Sequence, residues 1–264
     1  MIFDSHAHYD DEAFEEDRET LLSSFQDNGI GYVTNIGANM ETSLNSVRLA
    51  EKYDFIYAAV GIHPESPEEN TEENMKKLSE YCRHKKVVAI GEIGLDYHYE
   101  PLDKKAQRAC FEAQLEVAVE KNMPVVIHSR DAAKDTLDIV KNYYGKLDGG
   151  VIHCFSYGPE IAKEYLDMGF YIGIGGVLTF KNAKKLKEVA EHVPIERIVI
   201  ETDCPYLSPE PNRGKRNSSL NLPYVVTALS EIKGISAEAV VDITCKNALE
   251  MYRIDDAQSA RNGE

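Results

Sequence analysis

Short apolar runs rich in β-branched residues recur eight times along this chain, at residues 2–4, 32–36, 56–61, 87–93, 125–128, 151–155, 171–174 and 198–202. The segments between them have helical spacing. Phe14, Leu21, Leu22 and Phe25 fall on one face of the first, and Asn28-Gly29 supplies a left-handed stop behind it. Thr71 followed by Glu72-Glu73 suits a helix N-terminus, and Ala106, Cys110, Ala113 and Val117 predict an apolar stripe on a later helix. Strand–helix alternation repeated eight times predicts an α/β fold with a parallel sheet and crossover helices, closed into a (β/α)8 TIM barrel. An open, doubly wound sheet carries the same alternation and is the alternative. A length of 264 residues suits one barrel domain over residues 1–254, with 255–264 as a polar tail.

The chemistry sits where these runs end. The first ends in His6 and His8, the third in His63-Pro64, and the fourth in Glu92 with Asp96 beyond. The fifth ends in His128 and Arg130, the sixth in His153, and the eighth in Glu201 and Asp203. In a barrel the C-terminal strand ends form one mouth, where active sites are built. Ionisable groups at the ends of apolar runs are costly unless paired or bound to metal. Period-two alternation on the first strand puts Asp4, His6 and His8 on one face, with Asp4 as an orienting partner behind the imidazoles.

His6, His8, Glu92, His128, His153 and Asp203 are the expected metal ligands. Six donors exceed the need of one tetrahedral ion and suit two ions sharing a bridge. Glu92 is the natural bridge, with His6, His8 and Asp203 on one ion and His128 and His153 on the other. Donors of nitrogen and oxygen without thiolate are compatible with Zn, Mn, Ni, Fe or Mg. His84 and His192 fall in helical, charged stretches and read as solvated, and His98 reads as a rim residue. Cys154 and Cys204 are one step out of phase with His153 and Asp203 and read as core. Lys184, Lys185 and Lys187 read as a solvated helix face.

The net charge of −16 argues against a protein that coats long nucleic acid, since such binding neutralises many phosphates. Five cysteines, an odd number without paired spacing, fit a reducing compartment. With no secretory pattern at the N-terminus and no apolar run long enough for a bilayer, a cytoplasmic location without membrane contact is expected. The segment 204–217 after the eighth run holds three prolines, all within 205–211, and is too long for a simple connector, which marks it as functional.

Several motifs together resemble the TatD family of metal-dependent hydrolases. They are Phe3-Asp4-Ser5-His6-Ala7-His8, Gly61-Ile62-His63-Pro64, Gly91-Glu92-Ile93-Gly94-Leu95-Asp96-Tyr97, Ile127-His128-Ser129-Arg130, His153-Cys154-Phe155-Ser156, Glu201-Thr202-Asp203-Cys204-Pro205 and Arg213-Gly214-Lys215-Arg216-Asn217. They span nearly the whole chain in the family's order. Tyr9 stands where Leu is more usual, and Ser218-Ser219 replaces an acidic-Pro pair. The resemblance implies a barrel of the wider amidohydrolase group, a divalent-metal centre on the six ligands named above, and deoxyribonuclease activity, often 3′→5′ exonuclease.

The expected reaction is phosphodiester hydrolysis by water activated between two divalent cations, with Glu92 and Asp203 as the catalytic carboxylates and Asp203 relaying the proton. His63, Arg130, Arg213, Lys215 and Arg216 are expected to bind phosphate oxygens. Glu201 is expected behind Asp203 as its orienting partner or in a buried ion pair. The charge balance favours DNA strand ends or short oligonucleotides over duplex tracking, and no obligate protein partner is expected. Amide or ester hydrolysis on the same scaffold and non-catalytic metal binding are the other two readings. Many amidohydrolases bridge their metals with a modified lysine, whereas Glu92 holds that place here.

Overall fold

The computed structural model describes residues 1–100 and 103–255. The polar tail expected at 255–264 lies, apart from Asp255, outside the described residues. Eight parallel strands follow one another in chain order around a nearly closed barrel, β1 Ile2–Ala7, β2 Ile30–Ile36, β3 Ile56–Val60, β4 Val87–Asp96, β5 Val125–Arg130, β6 Gly150–Ile152, β7 Tyr171–Ile174 and β8 Ile198–Ile200. The ring closes between its first and last members: Ala7 bridges Cys204, and Asp203 N–H donates to the His6 carbonyl at 2.9 Å. The strands are buried nearly throughout, which is why each reads in sequence as a continuous apolar run and not as alternation.

Strand lengths differ from the sequence expectation where they matter most. β4 continues to Asp96, whereas β6 and β8 stop at Ile152 and Ile200. Cys154 and Asp203 adopt left-handed backbone with φ 45° and 55°, so the chain turns there and cannot extend a strand. His153, Glu201 and Asp203 therefore lie on the turns immediately beyond strand ends.

The helices wrap the barrel: α1 Arg18–Ser23, α2 Met40–Lys52, α3 Glu72–Tyr81, α4 Lys104–Lys121, α5 Ala133–Asn142, α6 Pro159–Asp167, α7 Lys184–His192, α8 Leu222–Lys233 and α9 Ala237–Tyr252. The first predicted helix is broken into α1 and flanking 3-10 turns, and Gly29 ends it with φ 79° as expected. Thr71 caps α3 by accepting from Asn74 N–H. On α4 the buried face is turned slightly from the predicted stripe: Gln107, Cys110, Phe111, Gln114 and Val117 are buried, while Ala106 and Ala113 are only partly so. Both glutamines clamp main chain at the barrel mouth. Gln107 exchanges two hydrogen bonds with Asp96 N–H and C=O (3.0 and 2.8 Å), and Gln114 does the same with Ile62 (2.7 and 2.9 Å).

The other end of the barrel is plugged. Ala248, Met251 and Tyr252 of α9 meet Phe3, Tyr57, Val88, Val126, Val151, Tyr171 and Val199, all at the first or second position of their strands. Burying each such side chain contributes about 1.5–3 kcal/mol. With that end filled, the open mouth is at the C-terminal strand ends, where the histidines are.

Candidate metal centre

Glu92, on β4, is the hub. Its Oε2 lies 3.3 Å from His6 Nε2 and 3.8 Å from His8 Nε2. Its Oε1 lies 2.8 Å from His128 Nδ1 and 2.7 Å from His153 Nε2. On the first side, His6 and His8 Nε2 are 3.2 Å apart, with Asp203 Oδ1 at 3.6 and 3.4 Å from them. On the second, His128 Nδ1 and His153 Nε2 are also 3.2 Å apart. Two donors each about 2.0–2.1 Å from a common ion stand roughly 2.9 Å apart at a right angle and about 3.4 Å apart in a tetrahedron. Both pairs of imidazole nitrogens fall in that interval, so the donor set fits divalent cations on each side of Glu92.

What turns each imidazole differs. His8 Nδ1 is 2.9 Å from the Ile36 carbonyl, which fixes it as the N–H and leaves Nε2 free to donate its lone pair. His128 is reversed: its Nε2 is 2.9 Å from Asp96 Oδ2, and Nδ1 faces Glu92. The sequence sets Asp96 beyond Glu92; the extension of β4 and the Gln107 clamp bring it to the imidazole. His6 and His153 stack at 3.9 Å between ring centroids. Their Nδ1 atoms and Glu201 Oε2 are buried without a hydrogen-bond partner among the described residues. Glu201 instead accepts the Cys154 N–H and stands 3.9 Å from His153 Nδ1. It thus lies behind His153 rather than behind Asp203.

Charge is divided unevenly among these groups. Burial lowers the pKa of His6 to about 4 and of His63 to about 3. For His8 burial acts in the same direction, but Asp203 and Glu92 outweigh it and lift it to about 9. His128 also rises to about 9 against burial, through Asp96 and Glu92. Glu92 stays well below the usual carboxylate range despite burial, because histidines surround it. Burial pushes Glu201 up to about 8.

The groups expected to bind substrate are dispersed. His63 sits among the ligand atoms, with Nε2 3.6 Å from Glu92 Oε1 and its ring edge-on to His128. Arg130 lies at the end of β5, donating to Tyr99 OH at 3.1 Å over that ring. Arg213 lies over the Phe180 ring, and Lys215 is exposed. Arg216 is engaged elsewhere: it pairs with both Asp17 oxygens at 2.8 and 2.6 Å and covers Phe14. The strap 204–217 is thus tied to the segment after β1.

Asp4 makes no hydrogen bond to the His6 imidazole, whose Nδ1 has no partner among the described residues. The pairing of β1 with β2 is irregular between Asp4 and Ala7, which breaks strict alternation. The Asp4 carboxylate accepts from Thr202 N–H (3.0 Å), Thr202 OH (2.7 Å) and Ser219 OH (2.6 Å), and weakly from His6 N–H at 3.4 Å. Ser219 N–H in turn donates to Tyr9 OH at 2.7 Å. The two departures from the family pattern, Tyr9 and Ser219, therefore touch each other, and through Asp4 they support the residue preceding Asp203. His98 meets Asp131 at the rim as expected. Cys204 is buried, whereas Cys154 turns with its left-handed backbone and is only partly covered.

A parallel eight-stranded barrel with a histidine–carboxylate cluster at its C-terminal mouth is the arrangement of a metal-dependent hydrolase. The sequence profile described as TatD related DNase matches residues 3–253, and the chain belongs to that family. It is 41% identical over 255 residues to an uncharacterized metal-dependent hydrolase, YabD, of Bacillus subtilis, covering 97% of this chain and 100% of that one. It is 30% identical to the 3′-5′ ssDNA/RNA exonuclease TatD of Pectobacterium parmentieri, covering 96% and 100%. The crystal structure of the TatD homologue YjjV from Escherichia coli superposes with a TM-score of 0.90 at 27% identity, over 96% and 98% of the two chains. No helix among the described residues is long and apolar enough to cross a membrane.

Proposed function

We propose that this protein hydrolyses phosphodiester bonds at the ends of DNA strands or in short oligonucleotides, with two divalent cations held on either side of Glu92. The observation carrying this reading is the division of the Glu92 carboxylate, Oε2 towards His6 and His8 and Oε1 towards His128 and His153. When bound, such cations polarise a phosphoryl oxygen and lower the pKa of water towards neutrality. The chain's own residues do the rest. Glu92, His6, His8, His128, His153 and Asp203 hold the pair. Asp203, partly open at the mouth beside His8, accepts the proton of the attacking water. Asp96 keeps His128 turned inward, and the Ile36 carbonyl does so for His8. Arg130 and the exposed Arg213 and Lys215 offer charge to phosphate oxygens, whereas Arg216 holds the strap in place.

The exonuclease name of the Pectobacterium relative and the DNase description of the family support nucleic acid as substrate. The test is turnover of a single-stranded oligonucleotide and of bis(p-nitrophenyl) phosphate with Mg, Mn or Zn restored, beside a panel of amides. Wild-type protein is expected to cleave the phosphodiesters, and His128→Ala to lose that activity with its fold retained. Amide turnover without phosphodiester turnover overturns the reading.

A further inference from the structure

Beside the metal centre lies a cavity of about 340 Å³ that none of the roles above uses. It opens between the turns that follow β6, β7 and β8, and Asp203 is part of its wall. It therefore adjoins the ligand cluster at Asp203. Its lining is mainly apolar, with Phe155, Val177 and Leu207 around it. One side is bare backbone at Gly173 and Gly175. A Cβ at Gly173 would stand 2.6 Å from Glu201 Oε2, and one at Gly175 would stand 3.1 Å from the Glu201 carbonyl. The buried glutamate thus enforces a flat wall there. At the rim stand Lys184 and Lys185, exposed at the start of α7. The sequence assigned these lysines to a solvated face; the fold brings them to the mouth.

An apolar slot with a flat wall and a cationic rim, in a chain of net charge −16, matches an apolar planar group carried on a polyanion. Its size is at the lower end of small-ligand pockets, which run to about 300–1,000 Å³. We propose that the cavity is a nucleobase subsite, receiving the terminal base of the strand whose phosphate lies at the metal centre, while Lys184 and Lys185 face the neighbouring phosphate. This rests on the phosphodiesterase reading above and adds to it. The apolar lining makes the subsite tolerant of base identity, since every base offers a stacking face. Room for one nucleoside confines it to strand ends.

The test is calorimetric titration of the manganese-loaded protein with adenosine 5′-monophosphate and, separately, with ribose 5-phosphate, which lacks only the base. The nucleotide is expected to bind about tenfold more tightly or better. Ser156→Trp fills the cavity from its exposed edge and should abolish that difference while leaving ribose 5-phosphate affinity unchanged, which also reports that the variant has folded. Equal affinities in the wild-type protein, or no binding of either ligand, overturn the proposal without needing the variant. A preference that survives in a folded Ser156→Trp protein places the base elsewhere and overturns it too. Turnover of bis(p-nitrophenyl) phosphate is read separately: its loss with the nucleotide preference intact removes the phosphodiesterase reading and leaves the subsite.

Discussion

The two sides of Glu92 each set a pair of imidazole nitrogens 3.2 Å apart but steady them by different means. On the β1 side the orienting partner of His8 is the Ile36 carbonyl, a main-chain group that no substitution deletes. On the β5 side the partner of His128 is the Asp96 carboxylate, whose main chain Gln107 clamps. Both partners fix the ring and raise its basicity, the charged carboxylate more strongly, and only the carboxylate can be removed by mutation. The comparison teaches that one imidazole is held by the fold itself, and its counterpart by side chains that sequence can change.

The harshest way to break the comparison is to remove what both sides share. Glu92→Gln should reduce turnover by about 10²–10⁴-fold and lower the metal content of both sites, measured by elemental analysis beside steady-state rates. Asp96→Asn separates them. It should weaken one of two cations by about 10–100-fold and leave the other unchanged, seen as one shifted step in a metal titration. Two equally shifted steps would mean that the sides are not independent.

Acidity sharpens the contrast further. In metal-free protein the cationic forms of His8 and His128 are favoured in the fold, with pKa values of about 9 against an ordinary 6.5. Their stabilisation is complete below pH 6.5 and is lost as pH rises through 9; the raised Glu201, at about 8, acts in the same direction. Chelated protein should therefore melt at progressively lower temperature from pH 6.5 to 9. Metal-loaded protein should not, because cations replace those protons. Asp96→Asn should reduce the slope. The smallest effect is expected at the seam between β1 and β8. Ser219→Ala removes one hydrogen bond to Asp4 and should cost about 1 kcal/mol, or roughly 2–4 °C in Tm by differential scanning calorimetry.

The barrel was legible because its strands are buried on both faces, so each is an unbroken apolar run and the count of runs is the count of strands. The histidine–carboxylate cluster was legible because ionisable groups ended those runs. The rest depends on tertiary contacts that leave no local pattern. The Ile36 carbonyl has no side-chain identity to read. Gln107 and Gln114 are polar on a buried helix face because they bond to main chain, which turns that face slightly from the expected stripe. Arg216 was grouped with phosphate binders, but its partner Asp17 lies far away in sequence and close only through the strap. The loss of alternation after Asp4 follows from an irregular pairing with β2 that one strand's composition does not reveal.

Helix α9 has a consequence for the order of assembly. Tyr252 OH donates to the Ser5 carbonyl at 2.7 Å, one residue before His6, so nearly the last side chain described steadies nearly the first. Asp203, which completes the pair His6 and His8, also arrives late on the ribosome. A nascent chain therefore carries its first two histidines long before it can close a cage around a cation. Contacts of such long sequence separation carry a large loop-closure cost, and the Asp203 corner of the cluster is absent until the eighth strand has been made.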